Sequence, residues 1–369
     1  MSDGQVTTSG AGLSMEIIRA LLTASLNTRS PMPGTDAVSS VLKRASSKTW
    51  EKVLEELGRH KVLPLIGYTI AKSGLQEAIP DNAVKILMAS YKKTLLTNRL
   101  MLNIVGRVIR ALRAYGIDPT VFKGVVLADS FYPDPGTRAM VDMDFLILPG
   151  ERELAARALG ELGFNCLPDA TEEDALCYGN HYGVLLDVHE RFRLFEHRDS
   201  DSLTVDLKPK HIDLDRLRVW EANAMLIHLV SHLESHRSEY GYRLSWLIDL
   251  GFLVQRWGPE FDWRKLRALV RDNEQDLVTV IRLLRFLERE FEVPIPAAIA
   301  SHGETVRPLT LTSVLRGARL APWGLPRPRG WARLLACRLG VVPRHNRSYP
   351  KLSDLVLWPR DLVLEKAIP

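Results

Sequence analysis

The amino-acid sequence predicts an α/β (α+β) protein in which a core with a small mixed sheet is flanked by helical N- and C-terminal domains. Two observations predict this class. Apolar residues recur at three- and four-residue spacing before residue 99 and again after residue 216, as on the buried face of amphipathic helices. Between these segments, short apolar runs typical of strands alternate with helical stretches. The 369 residues, 46% of them hydrophobic, are enough to bury a sizeable core.

Changes in composition and periodicity divide the chain into five segments. A small, polar start predicts disorder, and a shift to arginine, proline and tryptophan after Val293 predicts a separate basic appendage. The predicted segments are a disordered N-terminus (1–12), a helical N-terminal domain (13–99), an α/β core (100–215), a helical domain (216–293) and an Arg/Pro/Trp-rich C-terminal appendage (294–369).

Helices dominate the predicted N-terminal segment. Proline and glycine interrupt it at residues 31–34. The periodicity over residues 100–115 predicts a further long helix that ends at Gly116. Apolar residues at helical spacing include Trp50, Val53, Leu54 and Leu57.

Strands and helices are predicted to alternate in the core. The strands are expected at residues 119–122, 140–147 and 182–190. The helices of the core and of the following domain are expected at residues 125–131, 152–162, 217–257 and 266–291. The helical stretch 217–257 is expected to consist of two segments that meet near Tyr240-Gly241.

Net charge, cysteine content and apolar runs indicate which partners and which cellular compartment to expect. A formal charge of +5 favours attraction of a triphosphate or polyanion, but it does not by itself indicate nucleic-acid binding. The three cysteines lack a CxxC spacing and are interpreted as reduced thiols. The start of the chain lacks the features of a signal peptide, and no uncharged apolar run approaches the roughly 18 residues that span a bilayer. The expected location is the cytoplasm, with no membrane partner.

Two acidic residues on one strand are the strongest indication of chemistry. Because side chains alternate along a strand, Asp142 and Asp144 should project from the same face. Paired carboxylates repel unless a cation lies between them, and their hard oxygens suit Mg²⁺ together with substrate phosphates. Lys123 and Gly124 lie at a predicted strand end, where an ammonium group and a bare backbone can approach phosphates. The pattern predicts a metal-dependent enzyme that uses a nucleoside triphosphate.

A third carboxylate, Asp187, lies in the apolar run Leu-Leu-Asp-Val-His. A charge there is costly unless it is paired or bound to metal. An adjacent strand would bring it to the first two carboxylates, where a pair of metal ions could be clamped for phosphoryl displacement. His189 should face the same side of that strand. Asp187 could instead pair with Arg191 or Arg193.

These motifs resemble the polymerase-β-like nucleotidyltransferase superfamily, and more closely a poorly characterised bacterial family within it. The resemblance covers roughly residues 90 to 255. The residues that carry it are Lys123-Gly124, Tyr132, Arg138, Asp142-Met143-Asp144, Asp187-Val188-His189, His232 and the segment from Arg243 to Asp249.

The sequence departs from the superfamily pattern at two places. Most members have Gly-Ser where this chain has Gly124-Val125, so a serine contact to phosphate is missing. The interval from Gly124 to Asp142 is also longer, with an inserted turn at residues 131–136. Lys123, Arg138 and backbone amides at the helix start are expected to bind the phosphates instead.

The resemblance implies transfer of a nucleoside monophosphate from a triphosphate to an acceptor, with release of pyrophosphate. It implies that Asp142 and Asp144 bind two Mg²⁺ ions, and that Asp187 binds the ion nearer the acceptor and helps to accept its proton. Lys123 and Arg138 would neutralise the leaving diphosphate, and Gly124 and His189 complete the expected nucleotide site. The expected group is AMP from ATP, and the expected acceptor is a hydroxyl of a small molecule, peptide or protein.

Several residues have a second interpretation. Arg138 could be a structural partner of Asp134 or Asp142, and Gly124 could serve only close packing of strand and helix. His228, His232 and His236 recur on one helix face as zinc ligands can, but a hydrogen bond from His232 to a buried carboxylate such as Asp249 is the preferred interpretation.

Two other functions are consistent with the sequence. The missing serine and the basic tail would suit a nucleotide- or RNA-binding module that has lost transfer. The second alternative is a toxin-type nucleotidyltransferase that acts on RNA or on a partner protein. The Arg/Trp/Pro tail could contact nucleic acid, although a packed lid or solvated face is favoured.

Overall fold

The computed structural model describes residues 10–27, 35–167, 175–180, 183–191, 201–270, 274–295 and 308–317. Five helices precede the sheet: α1 (Gly10–Leu26), α2 (Thr35–Lys43), α3 (Ser47–Arg59), α4 (Leu63–Ser73) and α5 (Asp81–Ala114). Helix α1 starts inside the segment predicted to be disordered, so that prediction is wrong for residues 10–12, while residues 1–9 lie outside the described part. Burial of Ile17, Ile18 and Leu21 stabilises the helix despite the glycines at its start.

Helix α5 joins two segments that the sequence analysis placed in different domains. It runs without interruption through residues 99 and 100, where the sequence analysis predicted a domain boundary. The prediction of two separate helices meeting at that point is therefore wrong. Asn98, fully buried near its middle, donates hydrogen bonds to the carbonyls of Pro135 (2.5 Å) and Arg138 (2.6 Å). The helix therefore packs on the loop that carries Arg138 as well as on α4.

The sheet contains seven strands in the order β3-β4-β5-β2-β1-β7-β6. Strands β2 and β5 are parallel, as are β1 and β7, whereas the other neighbouring pairs are antiparallel. The sheet is mixed, as predicted. The strands are β1 (Thr120–Phe122), β2 (Met143–Leu146), β3 (Asn165–Cys166), β4 (Ala175–Gly179), β5 (Leu185–His189), β6 (Thr204–Leu207) and β7 (Leu217–Trp220).

Helices surround the sheet. A short α6 (Gly124–Val126) follows β1 and continues as a π-helical turn (Leu127–Phe131), and α7 (Arg152–Glu161) follows β2. The helices after the sheet are α8 (Ala222–Tyr240), α9 (Leu244–Trp257), α10 (Trp263–Leu269), α11 (Glu274–Phe291) and α12 (Leu311–Gly317). The predicted α/β core with helical flanks is thus confirmed.

Four strands differ from the prediction. Residues 217–220 form β7 rather than the start of a helix, because Val219 pairs in register with Val121 of β1 and is completely buried. Strands β3, β4 and β6 were not predicted. Strand β4 is buried throughout and so lacks the alternation that marks a half-exposed strand, and β3 has only two residues.

Asp129 in the π-helical turn is a buried carboxylate with a structural role. Its oxygens accept backbone hydrogen bonds from Lys210 (2.9 Å), His211 (2.8 Å) and Ile212 (3.1 Å). These bonds hold the loop between β6 and β7 against the helix that follows β1. A buried charge is tolerated there because its oxygens are satisfied by amides.

Most of the predicted basic appendage lies outside the described residues, including all of its tryptophans and every arginine except Arg316. The described part consists of residues 294–295 and 308–317, in which helix α12 contacts α1. Among the described helices, none is both long enough and apolar enough to cross a lipid bilayer. The described cysteines, Cys166 and Cys177, are free thiols.

Candidate active site

The centre of the site is a pair of carboxylates on adjacent parallel strands. Asp144 on β2 and Asp187 on β5 are register partners, so their side chains emerge side by side from the same face of the sheet. Neighbouring strands lie about 4.8 Å apart, which is within the range for sharing one cation. The structure thus brings together two predicted residues that lie far apart in the sequence and on different strands.

Asp142 precedes β2 and provides the third carboxylate. Burial and repulsion by Asp144 raise the pKa of Asp142 to about 6. Burial and repulsion by Asp144 and Asp142 raise the pKa of Asp187 to about 7. Both shifts have the same physical cause: three acidic groups share a poorly solvated space with too little positive charge.

Lys123 supplies positive charge to this group. Its ammonium lies 2.7 Å from Oδ1 of Asp144, and the Asp144 side chain is only 4% exposed. Burial alone would lower the pKa of Lys123, but the charge of Asp144 raises it above the ordinary value. Burial alone would raise the pKa of Asp144, and Lys123 and His189 hold it well below the ordinary value.

The backbone of Lys123 is unusual. Its φ of 51° and ψ of −124° lie outside the regions that residues with a side chain normally adopt. Such a conformation costs about 1–3 kcal/mol and persists where the surroundings impose it, as is common at functional sites. The residue with this positive φ is thus Lys123, and not the glycine that follows it.

His189 also faces the carboxylates, as predicted. Its Nε2 lies 3.7 Å from Oδ1 of Asp144. Its ring packs against Phe122, with ring centroids 5.3 Å apart. Phe122 on β1 is the register partner of Asp144 on β2. The ring of His189 is therefore held between the core and the acidic group formed by Asp142, Asp144 and Asp187.

Arg138 is hydrogen-bonded to Asp249, which the sequence analysis expected to pair with His232. Its Nε and Nη2 donate to the two oxygens of Asp249 on α9, at 2.8 and 2.9 Å. The hydroxyl of Tyr132 donates to the same carboxylate at 2.7 Å. The hydrogen-bonded partner of Arg138 is therefore Asp249, and not Asp134 or Asp142, the two partners that the sequence suggested.

A comparison with family models identifies the kind of protein. The model described as "uncharacterised nucleotidyltransferase" matches residues 46–284, about two thirds of the chain, and includes every strand and all three carboxylates. The chain belongs to this family. It is an enzyme of the nucleotidyltransferase class, which transfers nucleoside monophosphate groups, and the family recognised from the Lys-Gly and Asp-x-Asp motifs is confirmed. A search of curated proteins gave no match for this nucleotidyltransferase.

Solved structures similar to the nucleotidyltransferase include three chains at low sequence identity. The solution structure of the antibiotic-resistance factor ANT(2'')-Ia is 12% identical over 49% of this chain and 96% of that chain, with a TM-score of 0.38. The crystal structure of ANT(2'')-Ia in complex with adenylyl-2''-tobramycin is 12% identical over 47% and 99%, with a TM-score of 0.37. An antigenic nucleotidyltransferase-like protein from Paracoccidioides brasiliensis is 15% identical over 55% and 96%, with a TM-score of 0.36.

The acidic group of the nucleotidyltransferase, formed by Asp142, Asp144 and Asp187, has the donor atoms that a divalent cation needs. Its donors are carboxylate oxygens, which suit Mg²⁺. Among the described residues, no three His, Cys, Asp or Glu side chains are already arranged as a finished set of metal ligands. However, Asp144 and Asp187 are register partners and Asp142 lies two residues before Asp144, so burial and mutual repulsion raise the pKa values of Asp142 and Asp187. The donor chemistry therefore fits Mg²⁺, with Asp142, Asp144 and Asp187 as the candidate ligands.

The sequence analysis did not predict two contacts of this site. Cys177 on β4 is the register partner of Asp187, and its thiol donates a hydrogen bond that lowers the pKa of that carboxyl. His228 on α8 is buried with its ring edge-on to Phe122, 5.2 Å between centroids. Cys177 lies in no motif, and His228 was noted only as part of the histidine row on α8. The pairing of β4 with β5 and the packing of α8 place them here.

The histidine row on α8 does not form the expected bond to Asp249. The ring of His232 packs against His236 and Trp246, at centroid distances of 4.7 and 5.4 Å. Asp249 instead bonds Tyr132 and Arg138. Burial lowers the pKa of His232 to about 3, so this ring is neutral at physiological pH.

Gly124 is required for close approach of Arg138. A Cβ atom there would lie 2.9 Å from Nη1 of Arg138 and 3.6 Å from the Met140 side chain. We therefore expect Gly124→Ala to displace the guanidinium and to lower the free energy of unfolding by about 1–3 kcal/mol. Urea denaturation followed by circular dichroism measures this change.

Gly160→Ala is the matched control, because a Cβ at Gly160 in α7 meets nothing within 4 Å. It should leave stability unchanged or raise it by up to about 1 kcal/mol. Equal stability of the two alanine variants would contradict the packing role of Gly124.

Proposed function

We propose that this nucleotidyltransferase transfers AMP from ATP to a hydroxyl group of a small molecule, peptide or protein, with Mg²⁺ bound at the acidic group. The observation that carries the proposal is the register of Asp144 with Asp187 on adjacent parallel strands, with Asp142 two residues before Asp144. In a family of nucleotidyltransferases, three carboxylates converging on one face are the donors that a pair of divalent ions needs.

Asp187 is the candidate base for the acceptor. Burial and the charges of Asp144 and Asp142 raise its pKa to about 7, so its oxygens bind a proton more readily than those of an ordinary aspartate. Bound Mg²⁺ would supply Lewis acidity, stabilising charge on the attacking and leaving oxygens. The proton would reside on an Asp187 oxygen after the hydroxyl attacks the α-phosphorus and pyrophosphate leaves.

Lys123 is the candidate contact for the phosphates. Its ammonium is 20% exposed while it bonds Asp144, so it lies at the boundary between the acidic group and solvent. An ammonium there can neutralise charge on the leaving diphosphate. Arg138, held by both oxygens of Asp249, contributes through its charge and through the Nη1 that lies beside Gly124.

Transfer of label tests the proposal directly. The purified protein is incubated with Mg²⁺, each α-labelled nucleoside triphosphate and, separately, small-molecule, protein and RNA fractions of a cell extract. We expect label from ATP to enter a small-molecule or protein product together with release of pyrophosphate, and both signals to be lost in Asp187→Asn. Absence of transfer and of pyrophosphate with every nucleotide and fraction would refute the proposal.

The same experiment separates the alternatives. Label in RNA would indicate a toxin-type enzyme, and expression toxicity that disappears in Asp142→Ala would agree with it. Nucleotide binding that needs no Mg²⁺ and survives Asp187→Asn would indicate a binding module.

Binding of Mg²⁺ should depend on pH. At pH 5 Asp142 and Asp187 are largely protonated, because burial and repulsion by Asp144 raise their pKa values to about 6 and 7. Each metal ion must displace these protons, so Mg²⁺ affinity should rise between pH 5 and 8 by up to about tenfold per pH unit for each proton displaced, and level off above pH 8. Calorimetry in two buffers of different ionisation enthalpy measures the affinity and the protons released.

Asp187→Asn should remove the part of this rise that lies between pH 6 and 8. An affinity that does not change with pH would show that these carboxyls do not bind the ion.

A further inference from the structure

Arg138 is held at both ends by residues from other parts of the chain. Its backbone carbonyl accepts a hydrogen bond from Asn98 of α5 at 2.6 Å. Its guanidinium donates to both oxygens of Asp249 on α9, at 2.8 and 2.9 Å. A two-pronged bond of this kind fixes the plane of the guanidinium relative to the carboxylate. The orientation of the Arg138 guanidinium therefore depends on the orientation of the Asp249 carboxylate.

Tyr132 determines how that carboxylate is held. Its hydroxyl donates to Oδ1 of Asp249 at 2.7 Å, and its oxygen in turn accepts a hydrogen bond from Arg138. Burial and the charge of Asp249 raise the pKa of Tyr132 well above its ordinary value, so the hydroxyl retains its proton at physiological pH. The last torsion of an aspartate has a broad range, and a third hydrogen bond restricts it. Tyr132, Asp249 and Arg138 thus form a closed arginine network.

The segment 131–136, the insertion that the sequence shows between the Lys-Gly and Asp-x-Asp motifs, fixes the position of Tyr132. It packs against α9, the helix that carries the carboxylate of the arginine network. The ring centroids of Phe131 and Trp257 are 4.7 Å apart, and those of Tyr132 and Phe252 are 4.4 Å apart. Both partners belong to α9. The insertion therefore brings the hydroxyl and the carboxylate together as one rigid unit.

The arginine network holds the guanidinium toward the acidic group. Nη1 of Arg138 lies beside Gly124, where a Cβ atom would be only 2.9 Å from it. Gly124 directly follows Lys123, whose ammonium lies 2.7 Å from Oδ1 of Asp144. The Arg138 side chain is 14% exposed, so a ligand can reach it. A guanidinium has five N–H donors, and the contacts within the network use at most three of them.

We propose that Tyr132 and Asp249 are positioning residues of the transfer reaction, and that the segment 131–136 orients the Arg138 guanidinium toward the leaving diphosphate. The inference rests on the proposed function, because that function supplies pyrophosphate as the leaving group. A cation that is oriented in advance stabilises developing negative charge without rearranging at the moment of reaction. Tyr132 acts through Arg138 and does not itself contact the substrate.

The variant Tyr132→Phe tests this role. It removes the hydroxyl and retains the ring that packs against Phe252, and the ion pair between Arg138 and Asp249 stays complete. Binding of pyrophosphate and of AMP, each with Mg²⁺, is measured by calorimetry. We expect pyrophosphate to bind about 3- to 10-fold more weakly to the variant, as for loss of one hydrogen bond. AMP lacks the diphosphate and should bind within about twofold of the wild type, which also shows that the variant is folded.

The loss of pyrophosphate affinity should depend on Arg138. In the double variant Arg138→Met with Asp249→Leu, the Tyr132 hydroxyl has neither of its partners in the network. Adding Tyr132→Phe to this double variant should therefore leave pyrophosphate binding unchanged, because residues that act through one another are not additive. The same further loss in this background as in the wild type would overturn the positioning role.

Tyr242→Phe is the matched control. The Tyr242 hydroxyl donates to Glu234 at 2.6 Å, and Arg282 donates to the same carboxylate at 3.3 Å. This second tyrosine, carboxylate and arginine network links α8 to α11, outside the acidic group, and the control should bind both ligands as the wild type does.

Three further results would contradict the inference in different ways. Equal weakening of pyrophosphate and AMP binding by Tyr132→Phe would show that the hydroxyl has only a general structural role. A wild type that binds both ligands, with pyrophosphate affinity unaffected by Tyr132→Phe, would refute the positioning role alone. A wild type that binds neither pyrophosphate nor any nucleotide would refute the proposed function as well.

Discussion

Replacing Asp144 by asparagine is expected to lower the rate of nucleotidyl transfer by at least about 10³-fold. Asp144 is the most buried of the three carboxylates, and it contacts both Lys123 and His189. Removing its charge takes away a central metal ligand and the partner of the lysine, and charge stabilisation by such a centre contributes several kcal/mol to the transition state. Turnover of α-labelled ATP under saturating Mg²⁺ measures the effect.

Binding of the nucleotide to Asp144→Asn should also lose its dependence on Mg²⁺. Asp213→Asn is the control for the change of residue type, since the Asp213 side chain is 99% exposed and lies outside the site. It should retain full activity. An Asp144→Asn enzyme that transfers AMP within tenfold of the wild-type rate would show that the acidic group is not the catalytic centre.

Replacing Asp249 by asparagine is expected to cause a large loss of stability. Asp249 holds the buried Arg138 through two hydrogen bonds and also accepts one from Tyr132. An Asp249→Asn variant would leave the guanidinium buried without a counter-charge, and breaking a buried ion pair on one side costs about 3–5 kcal/mol. The free energy of unfolding, from urea denaturation with and without the substitution, tests this directly.

The double variant Arg138→Met with Asp249→Leu separates the structural role of Arg138 from a catalytic one. Because both charges are removed together, stability should recover to within about 1–2 kcal/mol of the wild type. If Arg138 neutralises the leaving diphosphate, this stable double variant should transfer AMP more slowly than the wild type does. Full activity in the double variant would confine Arg138 to a structural role.

The residues of the candidate site were largely predictable, because each lies in a short motif. Alternation along a strand places Asp142 and Asp144 on one face, and the same rule places Asp187 and His189 together. An acidic residue within an apolar run is costly unless it has a partner, which marks Asp187 even without knowledge of its neighbours. Asp129 is also a buried carboxylate, but its partners are backbone amides, and its local sequence gave no indication of this difference.

The extents of the helices and the edges of the sheet were less predictable. Helix α5 continues through residue 99 because buried residues on both sides of that point pack against one continuous core. Strand β7 has four residues, and only Glu221 separates it from α8, so the apolar pattern of the strand could not be told from that of the helix. Pairing with β1, a contact between residues almost a hundred positions apart, decides its conformation.

The sequence by itself determined the family, the mixed α/β class and the carboxylates of the acidic group, since these depend on local spacing and residue type. The tertiary structure alone decided which charged groups pair at the site: Asp249 with Arg138, and Lys123 with Asp144. Charge compensation acts across space between segments far apart in the chain, and no local pattern records which distant cation a given carboxylate will meet.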